Sequence, residues 1–338
     1  MPATGSASPP LPDTRIKTSR RPLPRRSLAA RFGFTSVPRL ELVRRYTRDE
    51  SRFVEIMGAD VHYLDEGRSA DPDAPVLVMI HGFASSLHTW DALAADFART
   101  HRVIRFDLPP FGVTGPLRTP SGALETIDIH ALRRFVDTLM QALDIRRATM
   151  IGNSLGGLLS WDYAARHPDA VERLVLIDAA GFPMKLPVYI DLFNRRLVQW
   201  SAPWLLPEPI VKSAVRNVYG DPRRLDPDTL RRYVDFFHGE DTRAAIAKMV
   251  PCLVFDDLDV DVLTQLDLPT LVVWGEKDRW IPPAHAAEFV KRIKGARSVM
   301  YAGLGHIPME EDPGRVLKDL RGFLDDGGVE ERGAAVRA

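Results

Sequence analysis

Thr149-Met150-Ile151-Gly152-Asn153-Ser154-Leu155-Gly156-Gly157 is the stretch whose reading decides the fold. A short run of β-branched and apolar residues ends in Gly-x-Ser-x-Gly, and residues 155–166 continue with helical spacing. A strand, a sharp turn and a helix can together hold a serine in a strained conformation with its hydroxyl exposed. Glycine at 152 and 156 lets strand and helix approach without Cβ clashes. Five residues alone would equally fit a glycine-rich turn with an incidental serine, so the surrounding chain has to decide.

On either side of this stretch the sequence alternates. Arg52–Met57 and Val61–Leu64, split by Gly58-Ala59-Asp60, read as a β-hairpin. Val76-Leu77-Val78-Met79-Ile80 is a continuous apolar run suited to a strand buried on both faces, and it ends at His81-Gly82-Phe83. A helix is expected over Thr89–Thr100, a strand over Arg102–Leu108, and a helix over Leu124–Leu143 with Leu132, Phe135, Val136 and Leu139 on its buried face. After Ser154 and its helix come the strands Arg173–Asp178, Pro269–Trp274 and Ser298–Ala302, with helices over Pro283–Ile293 and Asp312–Leu324. Strands alternating with helices imply an α/β protein with a mostly parallel, doubly wound sheet.

The rhythm breaks over residues 182–266, a helix-like, proline-punctuated stretch that reads as an inserted cap. Its dense apolar and aromatic residues, among them Phe193, Leu197, Trp200, Trp204 and Leu205, are expected to pack against the core domain and roof a pocket. The core is then 51–181 plus 267–325. Residues 1–50 form a basic, largely disordered segment with a short helical lead-in over 32–50, its apolar face being Leu40, Leu42, Val43 and Tyr46. Residues 326–338 form a polar tail. Residues 1–31 hold seven basic side chains against Asp13, a net of +6 (seven minus one), and read as a solvated tail. An organellar targeting peptide or an anchor to anionic lipid is the alternative reading of that tail.

Composition excludes several classes. With 45 basic and 45 acidic residues the chain has no global charge to recruit nucleic acid. One cysteine, Cys252, leaves no internal disulfide and no zinc-type Cys/His spacing. No apolar run approaches the roughly 18 residues of a membrane span. The expectation is a cytoplasmic protein without cofactor or metal. Peripheral membrane contact through the basic N-terminus or the cap stays open, and the oligomeric state is not readable.

In an open α/β sheet ligands bind beyond the carboxyl ends of the strands. Phe83, Ser154, Asp278 and His306 all fall at such ends. A serine hydroxyl needs a base to become a nucleophile, and a histidine base needs a carboxylate to fix its tautomer. The chain supplies all three in the order Ser154…Asp278…His306, with Glu276 and Asp178 as alternative acids. His81 and Asp107 read as organisers of loop backbone, and His62, His88, His101, His130, His167, His238 and His285 as surface residues.

That order, with His-Gly-Phe83, Gly-Asn-Ser-Leu-Gly-Gly, Gly-Glu-Lys-Asp278-Arg-Trp-Ile-Pro and Gly-His306-Ile-Pro, resembles the α/β-hydrolase fold over about residues 51–325. The resemblance implies Ser154 as nucleophile, Asp278 as acid and His306 as general base. It also implies backbone N–H groups of Phe83 and Leu155 as an oxyanion hole, and Trp90 and Trp280 near the substrate pocket. Serine at 154 argues against the dehalogenases and epoxide hydrolases, which carry aspartate there. Pro110 and Thr114 depart from the family's frequent glycine and serine. The expected activity is that of a capped serine hydrolase on a small to medium apolar ester. The elbow is also similar to that of meta-cleavage-product C–C hydrolases, although Phe83-Ala84-Ser85-Ser86 replaces their glycine-rich loop. A lactonase or perhydrolase would use the same residues, and a silent binding protein would have lost one of them.

Overall fold

The structure, a computed structural model, describes residues 27–67, 74–255 and 258–325. The expectations for the tails at 1–26 and 326–338 lie outside the described residues. Eight strands form one sheet: β1 (Arg52–Ile56), β2 (Ala59–Glu66), β3 (Val76–Ile80), β4 (Arg102–Phe106), β5 (Ala148–Asn153), β6 (Val171–Ile177), β7 (Thr270–Gly275) and β8 (Arg297–Tyr301). Their order is β1-β2-β4-β3-β5-β6-β7-β8. Pairs β1–β2 and β2–β4 are antiparallel, and every other pair is parallel.

The central strands β3 and β5 carry almost no polar side chain because helices cover both faces. Along β3, Val78 and Ile80 point into one core layer, packed with Leu132 and Phe135 of the helix Ile129–Ala142 and Leu158 and Leu159 of the helix Leu155–Arg166. Leu77 and Met79 point into the opposite layer, with Leu93 and Phe97 of the helix Asp91–Phe97 and Val316 and Leu320 of the helix Pro313–Asp325. This is the period-two alternation of a strand buried on both sides.

Local chemistry moved several boundaries. The hairpin turns on Met57 (φ 50°) and Gly58 (φ 72°), so Ile56 already pairs with Ala59. Two successive positive φ values are what a tight two-residue hairpin needs. The helix expected from Leu124 starts at Ile129, because the Asp128 carboxylate accepts the Ala131 N–H at 2.7 Å and caps it there. The helix expected over Thr89–Thr100 is a 3₁₀ turn, Leu87–Trp90, followed by Asp91–Phe97. Its Trp90 is fully buried with Leu93 and Phe97 in the second core layer.

Between β6 and β7 the described residues contain helices and no strand: Val188–Asp191, Arg196–Ser201, Glu208–Val218, Pro227–Phe237 and Thr242–Met249. Phe193 of this insertion is buried, as expected, and so are Ile190, Leu206 and Val211. Leu197, Trp200 and Trp204 are not: they stand 73%, 67% and 60% exposed. The lead-in helix, Arg39–Tyr46, buries Leu42 and Val43 but leaves Leu40 exposed. A further short helix, Leu28–Phe32, precedes it. Among the described residues no helix is long and apolar enough to cross a membrane.

Candidate active site

Ser154 sits between the end of β5 and the first residue of its helix at φ 56° and ψ −120°. A non-glycine residue held at positive φ costs about 1–3 kcal/mol, so the surrounding packing must enforce it. Gly156 and Gly152 show how. A Cβ on Gly156 would fall 2.1 Å from the Ile80 carbonyl oxygen, and one on Gly152 would fall 2.2 Å from that of Gly156. The helix is thus seated directly on β3 and β5, and Ser154 takes the tight corner. Its side chain does not cap the helix that follows, and the residue lines an apolar cavity.

The loop after β3 lies against the serine. A Cβ on Gly82 would come 2.8 Å from Ser154 Cβ, which brings the backbone of Phe83 alongside. His81 fixes this loop, as its sequence position implied. The Leu108 N–H donates to His81 Nε2 at 2.8 Å, so Nδ1 carries the ring proton and donates to the Gly82 carbonyl at 2.8 Å. Burial pushes the His81 pKa down and keeps the ring neutral. Asp107 orders the next loop, accepting from Leu87 N and Val113 N at 2.8 Å each and from His62 Nδ1 at 2.9 Å. Burial opposes its charge, but the His62 hydrogen bond and nearby imidazoles win and hold its pKa at about 2.

His306 Nδ1 donates to Asp278 Oδ2 at 2.7 Å, leaving Nε2 bare. The other oxygen, Asp278 Oδ1, accepts from Trp280 N at 2.7 Å and Ile281 N at 3.1 Å. Of the alternative acids, Glu276 is exposed and bonds the Gly303 N–H. Asp178 is buried beside the pair. Its Oδ1 accepts the Gly275 N–H at 2.9 Å, while Oδ2 has no other fixed donor. Burial and the adjacent Asp278 carboxylate push the Asp178 pKa well up. The fold therefore favours the protonated form of Asp178. Asp178, Asp278 and His306 place ligand atoms within 4.8 Å of one another and form the one such group among the described residues.

Several positioning residues were not legible beforehand. Asn153 Nδ2 bridges the carbonyls of Ile177 (3.1 Å) and His306 (3.0 Å), pinning the histidine loop to the elbow. Glu311 accepts the N–H groups of Gly305 and Gly220 at 2.9 Å and of Asp221 at 2.8 Å, and His306 N donates to Val218 O. The insertion therefore holds the histidine loop in place. Trp280 stacks on His306, with centroids 5.8 Å apart and planes at 21°, and its indole N–H donates to Asn217 of the insertion at 3.0 Å. Tyr219 and Tyr233 both donate to Glu310, and burial followed by the Glu310 charge pushes both phenol pKa values up, so they stay protonated donors.

The cavity measures about 820 Å³ including its open mouth. Ser154, His306, Phe83 and Trp280 form its floor, and Tyr189, Ile190, Leu206 and Val211 of the insertion form its walls. A smaller adjoining cavity reaches Leu155, Met184 and Phe255. Of the two tryptophans expected near the pocket, Trp280 is there and Trp90 is not. Trp90 lies in the core layer described above, because the 3₁₀ turn points its side chain under the sheet. The expectation of surface positions for His62, His88 and His238 is also corrected, since all three are buried. Each finds local partners: His62 Asp107 and Ser51, His88 the Tyr46 carbonyl, His238 the carbonyls of Val234 and Leu206. Burial, then the Arg232 charge, lowers the His88 pKa to about 3.

A strained serine at a strand-to-helix turn, beside an imidazole–carboxylate pair at the carboxyl edge of a parallel sheet, defines a class of hydrolases. The chain belongs to the α/β-hydrolase fold family, whose model matches residues 75–313. It is 26% identical over 296 residues to the uncharacterized hydrolase YugF of Bacillus subtilis (strain 168), covering 83% of this chain and 97% of that one. It is 28% identical over 266 residues to Lipase 3 of Moraxella sp. (strain TA144), covering 74% of this chain and 77% of the other. Among solved structures, a membrane phospholipase A described as a bacterial virulence factor superposes with a TM-score of 0.67 at 26% identity. That match covers 81% of this chain and 85% of the other. These likenesses support a hydrolase.

Proposed function

We propose that the protein is a serine hydrolase that cleaves carboxylic esters with a small to medium apolar acyl group through an acyl-enzyme. The observation that carries the reading is the strained Ser154 opening into an apolar cavity beside the His306–Asp278 pair. Nε2 of His306 takes the hydroxyl proton as Ser154 Oγ attacks the ester carbonyl carbon. The carbonyl oxygen gains the charge and is met by the backbone N–H groups of Phe83 and Leu155, each worth roughly 3–4 kcal/mol in such sites. Collapse expels the alkoxide, which leaves with the proton held by His306. Water then attacks the acyl-enzyme with the same histidine as base, releasing the acid and restoring the serine.

Asp278 holds the imidazole in the required tautomer, and Trp280 keeps its plane fixed. The apolar walls exclude water and suit an acyl chain more than a charged group. The ester reading also agrees with the names of the lipase and phospholipase relatives. A lactone is a cyclic ester, so lactonase activity would follow the same steps. The carbon–carbon reading fits less well. A 2-hydroxy-6-oxo-dienoate carries a carboxylate, and no arginine or lysine is among the residues lining either cavity. Rates on p-nitrophenyl esters of increasing chain length, compared with such a dienoate, test the proposal. It expects turnover of the esters with a preference for acyl chains longer than acetyl; turnover of the dienoate alone would overturn it.

A further inference from the structure

The insertion turns a large apolar face to solvent. Leu197 and Trp200 lie one helical turn apart on the helix Arg196–Ser201, and the Trp204 ring meets Trp200 edge-on at 5.9 Å. Leu205 follows, 41% exposed, before Leu206 turns inward to line the cavity. A second exposed apolar segment, distant in sequence, is anchored to the same insertion. The helix Leu28–Phe32 buries none of its residues. Leu28, Phe32 and Phe34 are 71%, 52% and 62% exposed. Its end is fixed against the insertion: a Cβ on Gly33 would fall 2.5 Å from the Leu206 carbonyl oxygen, and Arg243 bonds the Gly33 carbonyl. Two segments thus hold bulky apolar side chains in water at one junction, which soluble surfaces rarely do without a partner.

Exposed cations flank this face. Arg31, Arg195 and Arg196 are exposed and make no ion pair with the described residues. Tryptophan and leucine flanked by arginine is the composition that settles at a lipid headgroup boundary, where the rings enter the interface and the cations meet phosphates. A second copy of the chain fits worse, because pairing this face with itself would bring like charges together. The cavity lies close to this face: Ile210 lines it, is 38% exposed, and sits on the helix against which Leu28–Phe32 packs.

We propose that this face docks onto a bilayer surface containing anionic phospholipid, with Leu197, Trp200 and Trp204 entering the headgroup region. The docked protein presents its cavity mouth to the lipid, where acyl esters are concentrated. The surface stands independently of which bond the site cleaves.

Co-sedimentation of the full chain with vesicles of phosphatidylcholine alone, and of phosphatidylcholine with phosphatidylglycerol, tests this. Wild type should bind the mixed vesicles and be released by salt. W200S/W204S should lower the partition coefficient about tenfold or more, with an unchanged thermal melt. R195E/R196E should weaken binding to the mixed vesicles and leave binding to phosphatidylcholine alone little altered. Wild type remaining in the supernatant with both vesicles would overturn the proposal, as would W200S/W204S binding as well as wild type. A wild-type dimer that W200S/W204S converts to monomer, without vesicle binding, would assign the face to a second copy instead.

Discussion

Replacing each of the two buried carboxyls by its amide separates their roles. Asp278→Asn puts an N–H or an amide oxygen where His306 Nδ1 now finds a carboxylate at 2.7 Å. The Asp278 oxygen that accepts Trp280 N and Ile281 N at 2.7 and 3.1 Å favours keeping the amide oxygen there, which turns the NH₂ toward His306. The imidazole must then accept on Nδ1 and carry its proton on Nε2, the tautomer that cannot take a proton from Ser154. Loss of the correct tautomer in such triads lowers kcat by about 10⁴, or roughly 5.5 kcal/mol at 1.4 kcal/mol per tenfold. Asp178→Asn differs because that carboxyl already holds a proton. Asparagine keeps an oxygen for the Gly275 N–H and supplies an NH₂ in place of the O–H beside Asp278. Its kcat should stay within about tenfold of wild type. The assay is steady-state hydrolysis of p-nitrophenyl butyrate by both variants, with thermal melts to confirm folding. If Asp178→Asn loses as much activity as Asp278→Asn, or more, the assignment of acid and proton holder is wrong.

Other outcomes follow from the same geometry. Asp178 ionises near pH 4 in the unfolded chain and its pKa is pushed well up in the fold by burial and the adjacent Asp278 carboxylate, so above pH 4 the folded state binds more proton and the Asp178 contribution to stability falls as pH rises. Asp178→Asn removes that dependence, so its melting temperature should gain on wild type as pH rises above about 4. Trp280→Phe keeps an aromatic ring on His306 but loses the 3.0 Å bond to Asn217, and should lower kcat/KM by roughly threefold to tenfold, about 0.5–1.5 kcal/mol. Trp280→Ala, losing both, should cost more. Gly156→Ala drives a methyl to 2.1 Å from the Ile80 carbonyl, and should destabilise the fold by about 3 kcal/mol or more in denaturant titration. Gly295→Ala, where a Cβ meets nothing within 4 Å but φ is +74°, should cost only about 1 kcal/mol and serves as the control.

What the sequence disclosed depended on how local the cause was. All eight strands were legible, some, like Val76–Ile80, because every position is apolar, and the rest from short apolar stretches bounded by turn residues. The elbow was legible because its glycines and serine are contiguous. The helix start at Ile129 was missed because one aspartate cap outranks the periodicity of residues 124–128. Trp90 and Trp280 look alike in sequence, and only the direction each side chain takes from its turn separates pocket from core. His62, His88 and His238 were misplaced because their partners, such as Asp107 and the Leu206 carbonyl, are distant along the chain. Asp278 was preferred to Asp178 on the family resemblance, and what only the fold disclosed is that the two carboxyls are both buried and lie side by side. The exposed Trp200 and Trp204 were read as packing residues because density of apolar side chains does not say which face is covered.

The most direct measurement is mass spectrometry of the intact protein and its peptides after a fluorophosphonate probe and, separately, after rapid quench from p-nitrophenyl butyrate. The account predicts one adduct per chain on Ser154 in both experiments, with none on folded Ser154→Ala. A folded wild-type protein that hydrolyses the ester while carrying no adduct, or carrying it at another residue, would contradict it.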